Sequence, residues 1–143
     1  LPLHWLIDTP NKLKIKNLPI GLGEPIYYKL DNILASAMVS INAVKGVYIG
    51  TTEAHSFTGK ENNDEITKTG FLSNNSGGIL GGISNGEDVD VEVYFKPTPS
   101  IFQSQKTIDI HNVEQDFELK GRHDPIVAIR GSIVVEAMAS VVV

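Results

Sequence analysis

Apolar residues recur every three or four positions between Ile26 and Ile41, and this spacing predicts an amphipathic helix of about four to five turns. Pro25 lies just before them and suits the first position of a helix, where a missing N–H costs nothing. The periodicity ends near Asn42, so we expect the helix to end there. The apolar members of the pattern are Ile26, Leu30, Ile33, Leu34, Ala37, Met38 and Ile41.

Strict alternation of apolar and polar residues predicts strands elsewhere in the chain. The clearest case is "DVDVEVYF", in which every second residue from Val89 to Phe95 is apolar. The segment "VKGVYIG" predicts a shorter strand with Val47 and Ile49 on one face. Two more short strands are predicted at "KTIDI" and "DFELK", joined by a turn at "HNVEQ". Between these elements, residues 51–72 are polar and irregular and predict a long surface loop.

The last segment, "IVAIRGSIVVEAMAS", has two interpretations. Its β-branched residues favour a strand, whereas the spacing of Ile133, Ala137 and Met138 favours a helix that Ser132 would cap. We favour the helix. Helices and hairpin-like strands in separate runs then predict an α+β fold, with helices packed against antiparallel sheet in a single domain over residues 1–143.

Composition limits the classes of function. The 143 residues carry a net charge of -5 and two arginines, which argues against a nucleic-acid or anionic-membrane partner. The absence of cysteine excludes disulfides, thiolate nucleophiles and cysteine-bound metals. No apolar run reaches the roughly 18 residues that a membrane span needs, so we expect a cytoplasmic protein. The chain begins at Leu1 and ends in "EAMASVVV", and we expect it to be part of a longer polypeptide.

The segment "SNNSGGILGGISNG" places five glycines among fourteen residues, 73–86. It does not fit a Walker loop, which needs Lys-Ser or Lys-Thr after its last glycine, nor the dinucleotide fingerprint. Two explanations remain open. The glycines could allow close backbone packing and left-handed backbone angles, or they could leave room for an anion or a flat ring against the backbone.

Three further segments carry candidate chemistry, each beside an ordinary structural reading. "FKPTPS" places Lys96 with two hydroxyls at a strand end, which suits a phosphate but is also typical of a plain turn. "GRHDP" places Arg122, His123 and Asp124 together, as either an anion and proton-transfer site or a local salt bridge and turn. Asn42 could be no more than a helix cap. The other histidines show no ligand spacing, so no metal site is expected.

Taken together and in order, these segments resemble the C-terminal half of chorismate synthase. The resemblance covers about residues 18–139 and is carried by "LPIGLGEPIYYKLDNILASAMVSINAVKGVYIG", "NDEI", "GFLSNNSGGILGGISNGEDV", "FKPTPSI", "KTIDI" and "KGRHDPIVAIRGSIVVEAMA". It implies an FMN-dependent lyase of the shikimate pathway that converts 5-enolpyruvylshikimate 3-phosphate into chorismate and phosphate. The reaction is redox-neutral yet needs reduced FMN, and whether NADPH or a partner enzyme reduces the flavin stays open.

The resemblance also implies roles for individual residues. Asp124 matches the aspartate proposed to take a proton from the flavin ring and is our candidate catalytic residue, with His123 orienting the loop. Pro99 departs from the serine of many members, and residues 1–8 do not match the family. The implied cofactor-binding residues are Asn42, Ala43, Gly81, Lys96, Pro97, Thr98, Pro99, Ser100 and Arg122.

The family fold implied is a β-α-β sandwich of two related halves, with helices between sheets, assembled as a homotetramer. The N-terminal half would carry the catalytic histidines and most of the arginines that meet the anionic ligands. We therefore expect this chain alone to be unstable, self-associated or inactive. Two alternatives stay open: a non-catalytic fragment that still binds flavin or phosphate, and a structural domain whose glycines serve packing only.

Overall fold

The computed structural model of the chain describes residues 10–100, 102–121 and 126–143. Within these ranges, 3₁₀ turns form at Ile26–Tyr28 and Ala54–Ser56. The helices are α1 (Leu30–Val39), α2 (Gly59–Asn62) and α3 (Val127–Val142). The strands are β1 (Asn11–Ile15), β2 (Val44–Ile49), β3 (Ile66–Thr67), β4 (Gly70–Phe71), β5 (Ile79–Leu80), β6 (Ile83–Ser84), β7 (Val89–Phe95), β8 (Gln105–Ile108) and β9 (Glu114–Phe117).

The main sheet is antiparallel, with strand order β1-β7-β2. The alternation predicted for β7 is confirmed, because its valines are buried on one face while the acidic side chains between them lie on the other. On that second face, Glu92 pairs with Lys12 at 2.8 Å and Asp90 pairs with Lys14 at 2.9 Å. One face of the sheet therefore packs against the core, and the other faces solvent.

Two helices cover the apolar face of the sheet. Helix α1 buries Leu30, Leu34 and Met38, which are four residues apart and therefore lie on one side of the helix. Helix α3 buries a narrower stripe of Gly131, Val135 and Ala139. A methyl group at Gly131 would lie 2.6 Å from the Phe95 ring, so the missing side chain allows α3 to approach β7. This arrangement is the α+β fold predicted from the sequence.

The start of α1 was predicted too early. Residues 26–28 form a 3₁₀ turn, and Ile26 has a left-handed φ of 68°. Lys29 is extended, with ψ of 138°, and α1 begins only at Leu30. The Leu30 amide donates a 2.8 Å hydrogen bond to the Gly82 carbonyl, a contact between distant residues that periodicity could not show.

The other predicted elements are confirmed with smaller changes. The last segment is helical, but Ser132 lies inside α3 and donates to the Ile129 carbonyl at 2.8 Å instead of capping it. The predicted loop at 51–72 contains α2, which starts with a capping box of Thr58 and Glu61, and the short β3–β4 hairpin. The β8–β9 hairpin confirms the predicted pair of strands, but β9 begins at Glu114, inside the predicted turn, and ends at Phe117.

The described residues contain neither a membrane-spanning helix nor a cluster of metal-ligating side chains. None of their helices is long and apolar enough to cross a membrane. Within the same ranges, no group of three or more histidine, aspartate and glutamate side chains is arranged to hold a metal ion.

Candidate functional site

The glycine-rich segment is first of all a packed loop. Its Gly77 backbone lies directly against the backbone of Gly50, so a methyl group at Gly77 would overlap the Gly50 nitrogen and Cα. A methyl group at Gly50 would in turn overlap the carbonyl oxygen of Asn75. For these two glycines, close backbone packing is the explanation that the structure supports.

Asp64 holds the start of this loop. Its carboxylate accepts hydrogen bonds from Ser73 Oγ at 2.6 Å, from the Asn75 amide at 2.7 Å and from the Ser76 amide at 2.8 Å. Burial raises the pKa of Asp64, but the hydrogen bonds from Ser73 and from the Ser76 and Asn75 amides outweigh it and hold the pKa below its ordinary value. The carboxylate is therefore a structural anchor that works in its ionised form.

The stability of the loop should depend on pH through Asp64. A lowered pKa stabilises the fold above the ordinary aspartate value of 3.8, and this contribution is lost as pH falls through the folded value. We expect Asp64→Asn to lower the free energy of unfolding by about 1.5 kcal/mol at neutral pH. When the free energy of unfolding is measured in urea, the difference between Asp64→Asn and wild type should shrink toward zero as pH falls below 3.8. Asp116→Asn, an exposed change in β9, should show no such effect, and a difference that stays constant with pH would contradict this account.

Gly81 and Gly82 form the turn between β5 and β6. Their φ angles are 62° and 89°, and the strands pair up to Leu80 and Ile83 on either side, which describes a two-residue type I′ hairpin. The Gly82 carbonyl accepts from the Leu30 amide, so the hairpin is fixed to the N-terminal end of α1. At Gly81, by contrast, no atom of the described residues, apart from its chain neighbours, lies within 4 Å of where a Cβ would be. The Gly81 backbone therefore faces open space on a fixed turn.

A second group of predicted residues lies at the C-terminal end of α1. Ala43 has a left-handed φ of 72°, and its carbonyl accepts a 2.8 Å hydrogen bond from the Lys96 amide. This bond joins the Asn42–Ala43 segment to the turn that follows β7. In that turn, the Lys96 side chain is exposed, whereas Thr98 Oγ1 is buried and has no hydrogen-bond partner among the described residues. A buried hydroxyl of this kind costs free energy unless something bonds to it.

An apolar cavity of about 430 Å³ opens beside this group, between the end of α1 and helix α3. Asn42 is one of the residues that line the cavity, and most of the others belong to α3. The others include Phe95, Val127, Arg130, Val134 and Met138. Beside Asn42, the wall of this cavity is therefore mainly apolar and includes the cationic side chain of Arg130.

The predicted site residues thus fall into two groups. Asn42 and Ala43 are joined to the turn at residues 96–100, whereas Gly81 lies at the other end of α1. A helix of ten residues is about 15 Å long, so the two groups lie at roughly that separation. Arg122 and Asp124 lie outside the described residues. The sequence interpretation missed Asp64, because nothing in "GKENNDEI" separates it from the neighbouring carboxylates.

Comparison with known proteins identifies the family. The chorismate synthase family model matches residues 11–143. The chain belongs to the chorismate synthase family. Chorismate synthase from a Nitratiruptor species is 64% identical over 132 residues, which cover 92% of this chain and 37% of that relative. Chorismate synthase from Sulfurimonas denitrificans is 60% identical over 141 residues, which cover 98% of this chain and 39% of that relative.

A solved crystal structure of chorismate synthase has the same fold. It superimposes with a TM-score of 0.70 at 33% identity, over 92% of this chain and 34% of that chain. The resemblance inferred from the motifs and the predicted fold class are therefore confirmed. This chain spans less than two fifths of the length of the chorismate synthases that it matches.

Proposed function

We propose that this chain supplies part of the flavin site of a chorismate synthase. The reaction is the conversion of 5-enolpyruvylshikimate 3-phosphate into chorismate and phosphate. A C–O bond to phosphate breaks and a proton leaves the ring carbon, so the substrate is neither oxidised nor reduced overall. Reduced FMN, when bound, lends electron density transiently as phosphate leaves.

One observation carries the cofactor proposal: the hydrogen bond from the Lys96 amide to the Ala43 carbonyl, beside a buried Thr98 hydroxyl that no described residue bonds to. This bond holds Asn42, Lys96 and the Thr98 hydroxyl on one side of the fold. A ligand with acceptor oxygens would complete the hydrogen bonding of Thr98 and attract Lys96. The residues present therefore fit a cofactor that carries a ribityl chain and a phosphate.

Gly81 fits the same cofactor in a different way. Open space beyond its Cα, on a turn fixed by Gly82, lets a flat ring lie against the backbone. FMN carries its ring and its phosphate at opposite ends of a ribityl chain. An elongated ligand of this kind is compatible with contacts at both ends of α1.

For the chemistry, we propose roles for the two residues of the "GRHDP" segment that match the family. The Arg122 guanidinium would bind and orient an anionic group through its planar fork of donors. The Asp124 carboxylate would accept a proton from the ring of a bound flavin, which is its proposed catalytic role. His123 would orient the loop between them.

We also propose that the chain is the C-terminal half of a longer chorismate synthase, and that another part of that protein covers its helical layer. The outer side of α3 is strongly apolar, with Ile129, Ile133 and Val141 exposed by 69, 73 and 82%. Exposed apolar surface on one side of a helix usually marks a contact. A homotetramer of the whole protein belongs to the same proposal.

A chimera tests the proposed reaction. These residues would replace the matching 37% of the Nitratiruptor chorismate synthase, to which they are 64% identical. We expect the chimera to form chorismate, and Asp124→Asn to lower kcat by about a hundredfold or more while FMN still binds, since a positioned proton-transfer group contributes 10²–10⁴-fold. The control is Glu118→Gln, which changes an exposed carboxylate a few residues earlier in the chain. This variant should keep full activity. A folded, flavin-binding chimera without turnover would contradict the proposal.

A further inference from the structure

The only Asn-Gly sequence in this chain is Asn85–Gly86, directly after β6. An asparagine followed by glycine is prone to lose its side-chain amide, because glycine has no side chain to shield its backbone nitrogen from the asparagine amide carbon. In a folded protein the reaction also requires that this nitrogen is not hydrogen-bonded and that the asparagine side chain lies over it. The fold of this chain meets both conditions at Asn85.

The Gly86 amide is available as the nucleophile. It donates to no acceptor among the described residues, although the amides on either side of it are both engaged. The Asn85 amide donates to the Gly78 carbonyl at 3.0 Å, and the Glu87 amide donates to Asn85 Oδ1 at 3.0 Å. Gly86 is also exposed, so water and hydroxide can reach its N–H group.

The Asn85 side chain is held in position for attack. The hydrogen bond from the Glu87 amide to Oδ1 closes a turn over Gly86, which brings the side-chain carbonyl carbon toward the Gly86 nitrogen. The same N–H group stabilises the negative charge that develops on Oδ1 as the nitrogen attacks. The leaving group is unrestrained as well, since Nδ2 of Asn85 bonds to no described residue.

We propose that Asn85 deamidates spontaneously in the folded chain, and that the carboxylate formed there weakens the Asp64 anchor of the glycine-rich loop. The Gly86 nitrogen bonds to the Asn85 side-chain carbon while the bond to Nδ2 breaks. Ammonia leaves with the proton of the Gly86 amide. Water then opens the cyclic imide at either carbonyl, which gives an aspartate or an isoaspartate at position 85, the latter with an extra methylene group in the main chain.

A carboxylate at position 85 lies close to Asp64. Both residues line a small cavity of about 180 Å³, together with Asn62 and Ser76. The Asp64 carboxylate is ionised when it anchors the loop, so a second negative charge in this cavity repels it. An aspartate keeps the oxygen that accepts from Glu87, and Nδ2 of Asn85 has no bond to a described residue to lose. The added charge is therefore the main effect of the aspartate product.

Peptide mapping by mass spectrometry tests the modification. The chain is incubated at mildly alkaline pH, folded in buffer or unfolded in guanidinium chloride. We expect Asn85 to deamidate in the folded chain at a rate within about threefold of the unfolded rate. It should also react at least tenfold faster than Asn112, an exposed asparagine that precedes valine. A folded rate further below the unfolded one would show that the fold protects Asn85, and would overturn the proposal.

Unfolding in urea tests the effect on the anchor. Asn85→Asp reproduces the charge of one product, and Gln105→Glu adds the same charge on the exposed strand β8. We expect Asn85→Asp to lower the folding equilibrium constant at least fivefold at neutral pH, and the control to stay within about twofold of wild type. In an Asp64→Asn background the effect of Asn85→Asp should fall below about twofold. Equal effects in the two backgrounds would overturn the link to Asp64. Neither experiment involves flavin, so both outcomes are independent of the proposed function.

Discussion

Gly77→Ala should lower the free energy of unfolding of this chain by about 3–4 kcal/mol, which is a large part of the stability of an ordinary domain. The added methyl group would overlap the Gly50 backbone and lie 3.2 Å from the Asp90 carbonyl oxygen. Backbone atoms cannot rotate away as a side chain can, so the loop and β7 must separate. The left-handed φ of 63° adds a conformational cost of about 1 kcal/mol.

Urea unfolding of Gly77→Ala beside Gly21→Ala separates these two costs. Gly21 also has a positive φ, of 92°, but within the described part of the chain only its sequence neighbours come within 4 Å of where its Cβ would be. The control should therefore lose only the conformational part, about 1 kcal/mol. Equal losses in the two variants would mean that the Gly50–Gly77 contact is not tight, and that the glycine-rich segment is not held by packing.

Gly81→Asn should leave stability nearly unchanged and lower FMN affinity at least tenfold. Asn-Gly is the preferred sequence of a type I′ turn, and asparagine tolerates the left-handed φ that Gly81 adopts. The fold should therefore accept the side chain, which would point into open space. If that space is where the flavin ring lies, the side chain blocks it.

The same substitution thus separates the two explanations of the glycines. Packing alone predicts that Gly81→Asn changes nothing, since no atom of the described residues, apart from its chain neighbours, lies near the position of the added side chain. The control is Gly21→Asn, another left-handed glycine in open space, which should keep both stability and FMN affinity. Unchanged FMN binding by Gly81→Asn would remove Gly81 from the cofactor site.

Local pattern was enough to predict most of the secondary structure. The alternation from Val89 to Phe95 predicts β7 because successive side chains of a strand point alternately to the core and to the solvent. The start of α1 could not be predicted in this way. A carbonyl from the distant Gly82 takes the Leu30 amide, and Ile26 adopts a left-handed angle that β-branched residues rarely show.

The candidate site was predictable only in part. Sequence motifs named Asn42, Ala43 and the turn at residues 96–100 together, and the bond between Ala43 and Lys96 shows that they meet. The position of Gly81 at the opposite end of α1 depends on tertiary contacts and could not be read from spacing. The anchoring role of Asp64 depends on three donors in the 73–76 loop, again a property of the folded chain.

The most direct test of the central claim is a fluorescence titration of FMN with this chain, with and without 5-enolpyruvylshikimate 3-phosphate. We predict saturable quenching that Thr98→Val and Arg122→Ala each weaken several-fold, because each removes a donor proposed to bind the cofactor. Thr107→Val, an exposed change in β8, should match wild type. No quenching, or quenching that is the same for all four proteins, would contradict the claim that these residues form part of a flavin site.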